Sequence, residues 1–323
     1  IINYLSYMIS SFFFALFNTK KDIYIASSPP IFVAISCLAI AKLKRGKFIL
    51  DVRDIWPESA IQMGSLNNKF VIKIFEYIEI ILYKNADEII VATPGMSKII
   101  EKKLNSNNLK ISYIPCGIDI PKLEDISLKN SANIINKKKF SVLYAGLHGH
   151  AQNLSVICET AIKLKEKSNI HFYLIGDGPD KLNLTQNPKY SNLKNLSFYD
   201  PVSRDEIRSI FQEVSCALVP LKDLKIFKNV FPSKTFELWS FGVPTIVGVG
   251  GEIDSIIENY SCGVVAEPDN PDSYKDSILS LYEDEERLKK ISKSCRNVAA
   301  TKFSYESCNK DFLNIIKRVQ SYD

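Results

Sequence analysis

Short β-rich runs alternate with helical runs along this chain, and that order leaves few folds open to it. Runs at 22–26, 48–52, 88–92 and 111–114 read as strands, and 32–41 and 69–84 read as helices. Pro94 opens a further helix at a position that proline tolerates. Parallel neighbours need a long crossover, and here each crossover is a helix, so the order predicts a parallel sheet of the Rossmann type. Between 121 and 139 the pattern stops. That stretch is rich in Asn, Ser and Lys, has no periodic apolar face, and reads as a linker. A second series begins at Phe140, with strands expected at 141–145, 171–175, 196–199, 217–220, 245–249 and 263–266. Ser203 and Glu206 form a capping box ahead of Ile207, Ile210 and Phe211. The expected fold class is α/β, with two Rossmann-like domains. The expected division is 1–125, a linker at 126–138, 139–302, and a C-terminal helix at 303–323 that crosses back to the first domain.

Composition narrows the function classes. The 323 residues suffice for two cores, and 46% apolar with 24% charged residues is the balance of a folded protein. A net charge of +5 is too mild to argue for a nucleic-acid partner. Lysines and arginine cluster at 42–47 and 137–139, which suits either solvated loops or an anionic membrane surface. Seven cysteines without a Cys-x-x-Cys pair fit free thiols in a reducing compartment. The opening segment, IINYLSYMISSFFFALF, is too short and too polar to span a bilayer and lacks a signal-peptide charge pattern. A chain that starts inside an apolar helix reads as one lacking its front end.

The chemistry is expected at 230–244, VFPSKTFELWSFGVP. Pro232 and Ser233 open a helix with Ser233 as its N-cap, Gly242 closes it left-handed, and Pro244 cannot extend it. The start of such a helix offers unpaired N–H groups beside the Ser233 hydroxyl and the Lys234 ammonium, a combination that suits phosphate. Glu237, one turn on, can accept hydrogen bonds from two sugar hydroxyls. The plain alternative is a surface helix with ordinary first-turn residues. YAGLHGHAQNL at 144–154 carries Gly146 and Gly149, so its backbone can come close to a diphosphate, but it lacks the dinucleotide Gly-x-Gly-x-x-Gly spacing. His148 and His150 have no further ligand at a metal-binding spacing, and no Asp-x-Asp is present. LIGDGP at 174–179 is either a tight turn or a ligand loop beyond a strand's carboxyl end. DVRDIWPES at 51–59 mixes Arg53 with Asp51, Asp54 and Glu58, either as a self-satisfied ion network or as a holder of sugar hydroxyls; the second reading is preferred.

With SSPPIFVA, YKNADEIIVATPG, IPCGID, ALVPL and GGE added to these stretches, the chain resembles the retaining nucleotide-sugar glycosyltransferases of the GT-B architecture, family four. Within that family it is most similar to the bacterial subgroup that builds O-antigen and capsule repeat units. The resemblance implies two Rossmann-like domains facing each other across a cleft, with the nucleotide sugar mainly on the second. It places Pro232, Ser233 and Lys234 on the donor diphosphate and Glu237 on the ribose, as the second acid of a Glu-x7-Glu motif whose first acid falls at Asn229. Lys228 takes the basic role there. Gly146, His148, Gly176 and Glu252 line the donor site, and Pro201 and Val202 meet the nucleobase, with Asp200 where glycine is usual. Arg53 and Asp54 join Lys228 and Lys234 as catalytic residues, and Asp51 and Glu58 stand on the acceptor side.

The resemblance also implies a front end of about 70–90 further residues, so that the first domain is incomplete and transfer is at risk. The expected activity is transfer of an N-acetylhexosamine or deoxy derivative from a UDP-sugar to a saccharide on polyprenyl diphosphate. No cofactor or metal is needed, and the place is the cytoplasmic face of the inner membrane. Two alternatives are a UDP-N-acetylglucosamine 2-epimerase-like enzyme and a non-catalytic nucleotide-binding partner subunit.

Overall fold

The computed structural model describes residues 2–106, 109–121 and 134–322, and the side chains from Tyr4 onward. The chain divides into two compact units, Ile1–Cys116 with Glu306–Asp323, and Gly117–Tyr305. Of the linker expected at 126–138, residues 126–133 lie outside the described residues. Ile135 is buried in the core of the second unit, and the Asn136 N–H donates to the Tyr173 hydroxyl at 2.9 Å.

The first unit runs α1 (Ile2–Phe17), β1 (Ile23–Ser28), α2 (Ile31–Lys44), β2 (Lys47–Val52), α3 (Glu58–Gln62), α4 (Lys69–Asn85), β3 (Glu88–Val91), α5 (Pro94–Leu104) and β4 (Ile111–Tyr113). Its strands lie parallel in the order β1-β2-β3-β4. Helix starts follow local chemistry. The Asn68 side chain accepts from the N–H groups of Phe70 and Val71, and Thr93 caps α5 with Pro94 just inside it. Every residue of β3 is buried, as in a parallel strand covered on both faces.

The second unit runs β5 (Phe140–Ala145), α6 (Ser155–Lys163), β6 (Ile170–Ile175), α7 (Lys181–Thr185), β7 (Leu196–Tyr199), α8 (Arg204–Phe211), β8 (Cys216–Pro220), α9 (Ser233–Ser240), β9 (Thr245–Gly248), α10 (Glu252–Tyr260), β10 (Val264–Val265), α11 (Pro271–Tyr282) and α12 (Glu285–Lys302). All its strands are parallel, in the order β10-β9-β8-β5-β6-β7. The Ser203 hydroxyl accepts from the Glu206 N–H at 3.3 Å, which is the backbone half of the capping box. Trp239 is fully buried and donates through its indole N–H to Thr245 at 2.8 Å, so it fixes α9 to β9.

The last helix, α13 (Tyr305–Gln320), rejoins the first unit. Cys308, Ile315 and Val319 pack on Ile49, Ile90 and Ile114 of its sheet. Glu88, almost wholly buried, accepts from Arg318, Ser112 and Tyr322, so the helix is clasped by charge as well as by packing.

Candidate functional site

In the second unit, four loops meet beyond the carboxyl ends of the central strands. Such crevices hold ligands because helix starts and loop N–H groups converge there. The turn after β5 brings Gly146, with φ of +146°, against the turn after β6. The Gly146 N–H donates to the Ile175 carbonyl, and the His148 N–H to that of Asp177, both at 2.8 Å. A Cβ on Gly176 would lie 1.8 Å from the Gly146 carbonyl oxygen, so this approach of two backbones needs glycine. Lys181 ties the next loop in by donating to the carbonyls of Gly176 and Tyr199 and to Asp200. Asp200, the departure from the usual glycine, thus has a structural partner.

A cavity of about 410 Å³ sits over these strand ends. It is lined by Gly146, Gly176, Pro201, Val202, Lys234 and Glu237, together with Asp177, Ile207 and Phe211. The Lys234 ammonium lies over the Tyr144 ring, 5.2 Å from its centroid, and a Cβ on Gly146 would meet it at 1.6 Å. The glycine makes room for the lysine. Burial pushes the Lys234 pKa down to about 8, and nearby Glu237 pulls the other way. Among the described residues, no hydrogen bond and no ion pair within 4 Å holds either side chain. An ammonium and a carboxylate are therefore neighbours that leave their valences open to a ligand.

A cavity of similar volume lies at the amino ends of β8 and β9, beside Pro244 and Ser215. Its cations are taken: Arg296 donates to the Phe241 carbonyl, and Lys289 pairs with Glu285 and Glu286.

Several expected site residues stand differently. Pro232, extended at φ −61° and ψ 110°, is the N-cap of α9, and Ser233 is its first residue with no capping bond. The Pro232 carbonyl accepts from the Thr235 N–H at 2.9 Å, so the helix starts one residue earlier than its serine suggested. His148 is wholly buried and cannot touch a donor from that position. Its two ring nitrogens have no hydrogen-bond partner among the described residues, and burial, with Lys181 nearby, pushes its pKa down to about 4. It is a packing residue between Tyr144 and Phe198. Lys228 lies in a 3-10 turn, Lys225–Asn229, with its ammonium 3.2 Å from Asp223. Lys228 and Asn229 do not line the cavity, nor does Glu252, the first residue of α10. Gly251 packs against the Lys228 backbone, which holds these two loops together.

In the first unit, the cluster after β2 is built on one ion pair, and among the described residues the Asp51 Oδ1 atom is buried without a hydrogen-bond partner. Arg53 Nε lies 2.8 Å from Asp51, which also accepts from the Ser27 hydroxyl at 2.8 Å. Arg53 reaches the Ile114 carbonyl as well. The Asp54 carbonyl accepts from the Trp56 N–H, and Glu58 accepts from Gln62. Asp51 is thus ion-paired to Arg53 and hydrogen-bonded to Ser27, which is the ion-network arrangement, alongside an Oδ1 atom without a hydrogen-bond partner among the described residues. The residues that sequence reasoning missed include Asp177, Ile207 and Phe211 in the cavity wall and Tyr144 beneath Lys234. The i,i+4 spacing of Ile207 and Phe211 behind the capping box was the available signal for α8.

Residues 125–298, more than half of the chain, match the model of the family described as glycosyl transferases, group 1. A UDP-Gal:α-D-GlcNAc-diphosphoundecaprenol α-1,3-galactosyltransferase of Escherichia coli is 24% identical over 266 residues, 79% of this chain and 64% of that protein. An uncharacterized glycosyltransferase of Methanocaldococcus jannaschii is 29% identical over 141 residues, 43% of this chain and 38% of that protein. The chain thus spans less than two thirds of the length of either relative. Among solved structures, sucrose-phosphate synthase from Thermosynechococcus elongatus superposes with a TM-score of 0.77 at 13% identity, covering 98% of this chain and 78% of that one. Anabaena HepE, in complex with UDP and glucose, gives 0.76 at 13% identity over 96% of this chain and 81% of that one. At such identities the likeness is one of fold, here GT-B with two parallel α/β sheets.

Proposed function

Because the chain belongs to the glycosyl transferases group 1 family, we propose that it moves a sugar from a UDP-sugar to a saccharide carried on polyprenyl diphosphate, with retention of anomeric configuration. The sugar is an N-acetylhexosamine or a deoxy derivative, and the product belongs to a surface polysaccharide such as O-antigen or capsule. The observation that carries the reading is the Lys234–Glu237 pair, open to a ligand above Gly146 at the start of α9. The UDP in the HepE structure and the lipid-linked acceptor in the name of the E. coli relative support it.

In the proposed reaction the diphosphate settles against Lys234, Ser233 and the first N–H groups of α9, where the helix dipole and the ammonium favour negative charge. Glu237 accepts from the ribose hydroxyls, and Pro201 and Val202 flank the base. The acceptor hydroxyl oxygen attacks the anomeric carbon from the face that the phosphate leaves. As the bond to phosphate breaks, its oxygen takes the acceptor proton, so no protein base is required. Catalysis then rests on charge stabilisation of the departing diphosphate. Asp54 and Glu58, in the first unit, are assigned to the acceptor side.

With a lipid-linked acceptor, the proposed reaction runs at the cytoplasmic face of the inner membrane. No helix among the described residues is long and apolar enough to cross a membrane. Helix α1 exposes Tyr7, Phe13, Phe14 and Phe17, and Lys20, Lys21, Lys42 and Arg45 are exposed beyond it, a composition suited to anionic lipid. Sedimentation with vesicles containing anionic lipid, lost on Phe14→Ser with Phe17→Ser, tests that surface.

The test of the reading is calorimetric titration with UDP. Micromolar binding is expected, and Lys234→Ala should weaken it and slow transfer by about 10²- to 10³-fold, roughly 2.7–4 kcal/mol. Unchanged UDP binding and turnover in Lys234→Ala would sink the assignment.

A further inference from the structure

A departing diphosphate carries more than one negative charge, and the loop after β5 supplies no lysine or arginine to meet it. Residues 147–152 are Leu, His, Gly, His, Ala and Gln. His148 is buried and held neutral, and His150 is turned to Asp180. Lys228 faces Asp223. Among the described residues that line the 410 Å³ cavity, Lys234 is the single cation. A second cavity of about 270 Å³ adjoins it across Lys234 and Glu237, which line both. Its further walls are Ser233, Asp119, Tyr305 and two arginines of α8, Arg204 and Arg208.

The two arginines stand four residues apart, one helical turn, so they project on the same face of α8. Arg204 is exposed at the rim, and Arg208 reaches deeper. The carboxylate paired with Arg208, on Asp119, is 3.7 Å from its Nη2, too far for a hydrogen bond. Its Nε is buried and has no hydrogen-bond partner among the described residues. A buried guanidinium N–H without an acceptor is costly to leave unfilled, and the planar fork suits a phosphate.

We propose that Arg208 is the second cation on the donor's diphosphate, binding it from the smaller cavity while Lys234 binds it from the larger, with Arg204 at the mouth. This deepens the donor-site reading above and rests on it. Asp119 holds Arg208 loosely in the absence of ligand, and the phosphate displaces it. The loop after β5 can then be free of cations because α8 and α9 carry them.

The experiment is titration of the full chain with UDP and with uridine, for the parent, Arg208→Gln, Arg208→Lys and Asp119→Asn. Arg208→Gln should weaken UDP about tenfold or more and leave uridine within about twofold, the loss of one charge-assisted bond. Arg208→Lys should recover part of the UDP affinity. Asp119→Asn should tighten UDP about twofold or more, since a competing carboxylate is gone. If Lys234→Ala loses UDP while Arg208→Gln keeps it, the proposal is overturned and the donor reading stands. Equal weakening in Arg208→Gln and Asp119→Asn would mean that Arg208 acts by holding Asp119, and overturns it too. No UDP binding to the parent overturns both readings. Should Arg208→Gln melt at lower temperature than the parent, the Arg208→Lys and Asp119→Asn pair decides.

Discussion

Both units place charged side chains beyond the carboxyl ends of parallel strands, and they use them in opposite ways. After β2 in the first unit, Asp51 accepts from Arg53 and from Ser27, and Arg53 also donates to the Ile114 carbonyl and the Cys116 sulfur. Above β5, β6 and β7 in the second unit, Lys234 and Glu237 are electrostatic neighbours without a pairing contact. Position in the fold is the same in kind. What separates a structural cluster from a binding cluster is whether the charges have already satisfied one another.

The largest expected effect comes from refilling the space that keeps the second cluster open. Gly146→Ala puts a Cβ where the Lys234 ammonium lies, at a φ of +146° that alanine disfavours. UDP affinity should fall by about 10²-fold or more, as for loss of the lysine itself. Retained affinity would show that Lys234 finds the ligand from another position.

Next is the ring beneath that cluster. In the first unit the buried carboxylate Glu88 keeps ionic partners, whereas His148 in the second is buried neutral. Its pKa of about 4 in the fold lies below the ordinary value of about 6.5. Its contribution to stability is therefore complete above pH 6.5 and is lost as pH falls through 4, on the order of 3 kcal/mol. Chemical denaturation followed by Trp239 fluorescence in a Trp56→Phe background should show this loss. His148→Phe should flatten it.

Asp51→Ala attacks the closed cluster. It strands the Arg53 guanidinium and should lower stability of the first unit by about 1–3 kcal/mol in denaturant titrations. UDP affinity should remain within about twofold. A large loss of UDP affinity would erase the contrast between the two units.

The strands were legible because their signal is local. Runs of β-branched and aromatic residues between turns fixed the first sheet's strands to within two residues, and Glu88–Val91 is one such run. Gly146 and Lys234 could be singled out because glycine after a strand and a cation at a helix start carry chemical meaning by themselves. His148 could not be placed, since the direction of a loop side chain depends on which backbone it meets, here that of Gly178 and Asp180. Nor could the state of Asp51 be known, because its partners lie on two strands and a loop. Arg208 was invisible for a like reason: α8 meets the end of α9 only through the fold, as in the contact of Phe211 with Phe241, the residue after α9, ring centroids 5.3 Å apart.

The smallest effect is the most diagnostic. Burial holds the Lys234 pKa at about 8, whereas an unfolded lysine keeps its proton to about 10.4. Between those values the unfolded chain binds more protons, so stability without ligand should rise with pH across that window. Binding should run the other way. A phosphate ligand favours the ammonium, so UDP affinity should be level below pH 7.5 and fall by up to about tenfold per unit above 8. Opposite trends over one window require a single group that is desolvated in the fold and recharged by the ligand. Lys234→Arg should remove the fall in affinity, because a guanidinium stays charged throughout. A parent whose UDP affinity stays flat from pH 7 to 9.5 would place the phosphate away from Lys234 and make the second cluster as closed as the first.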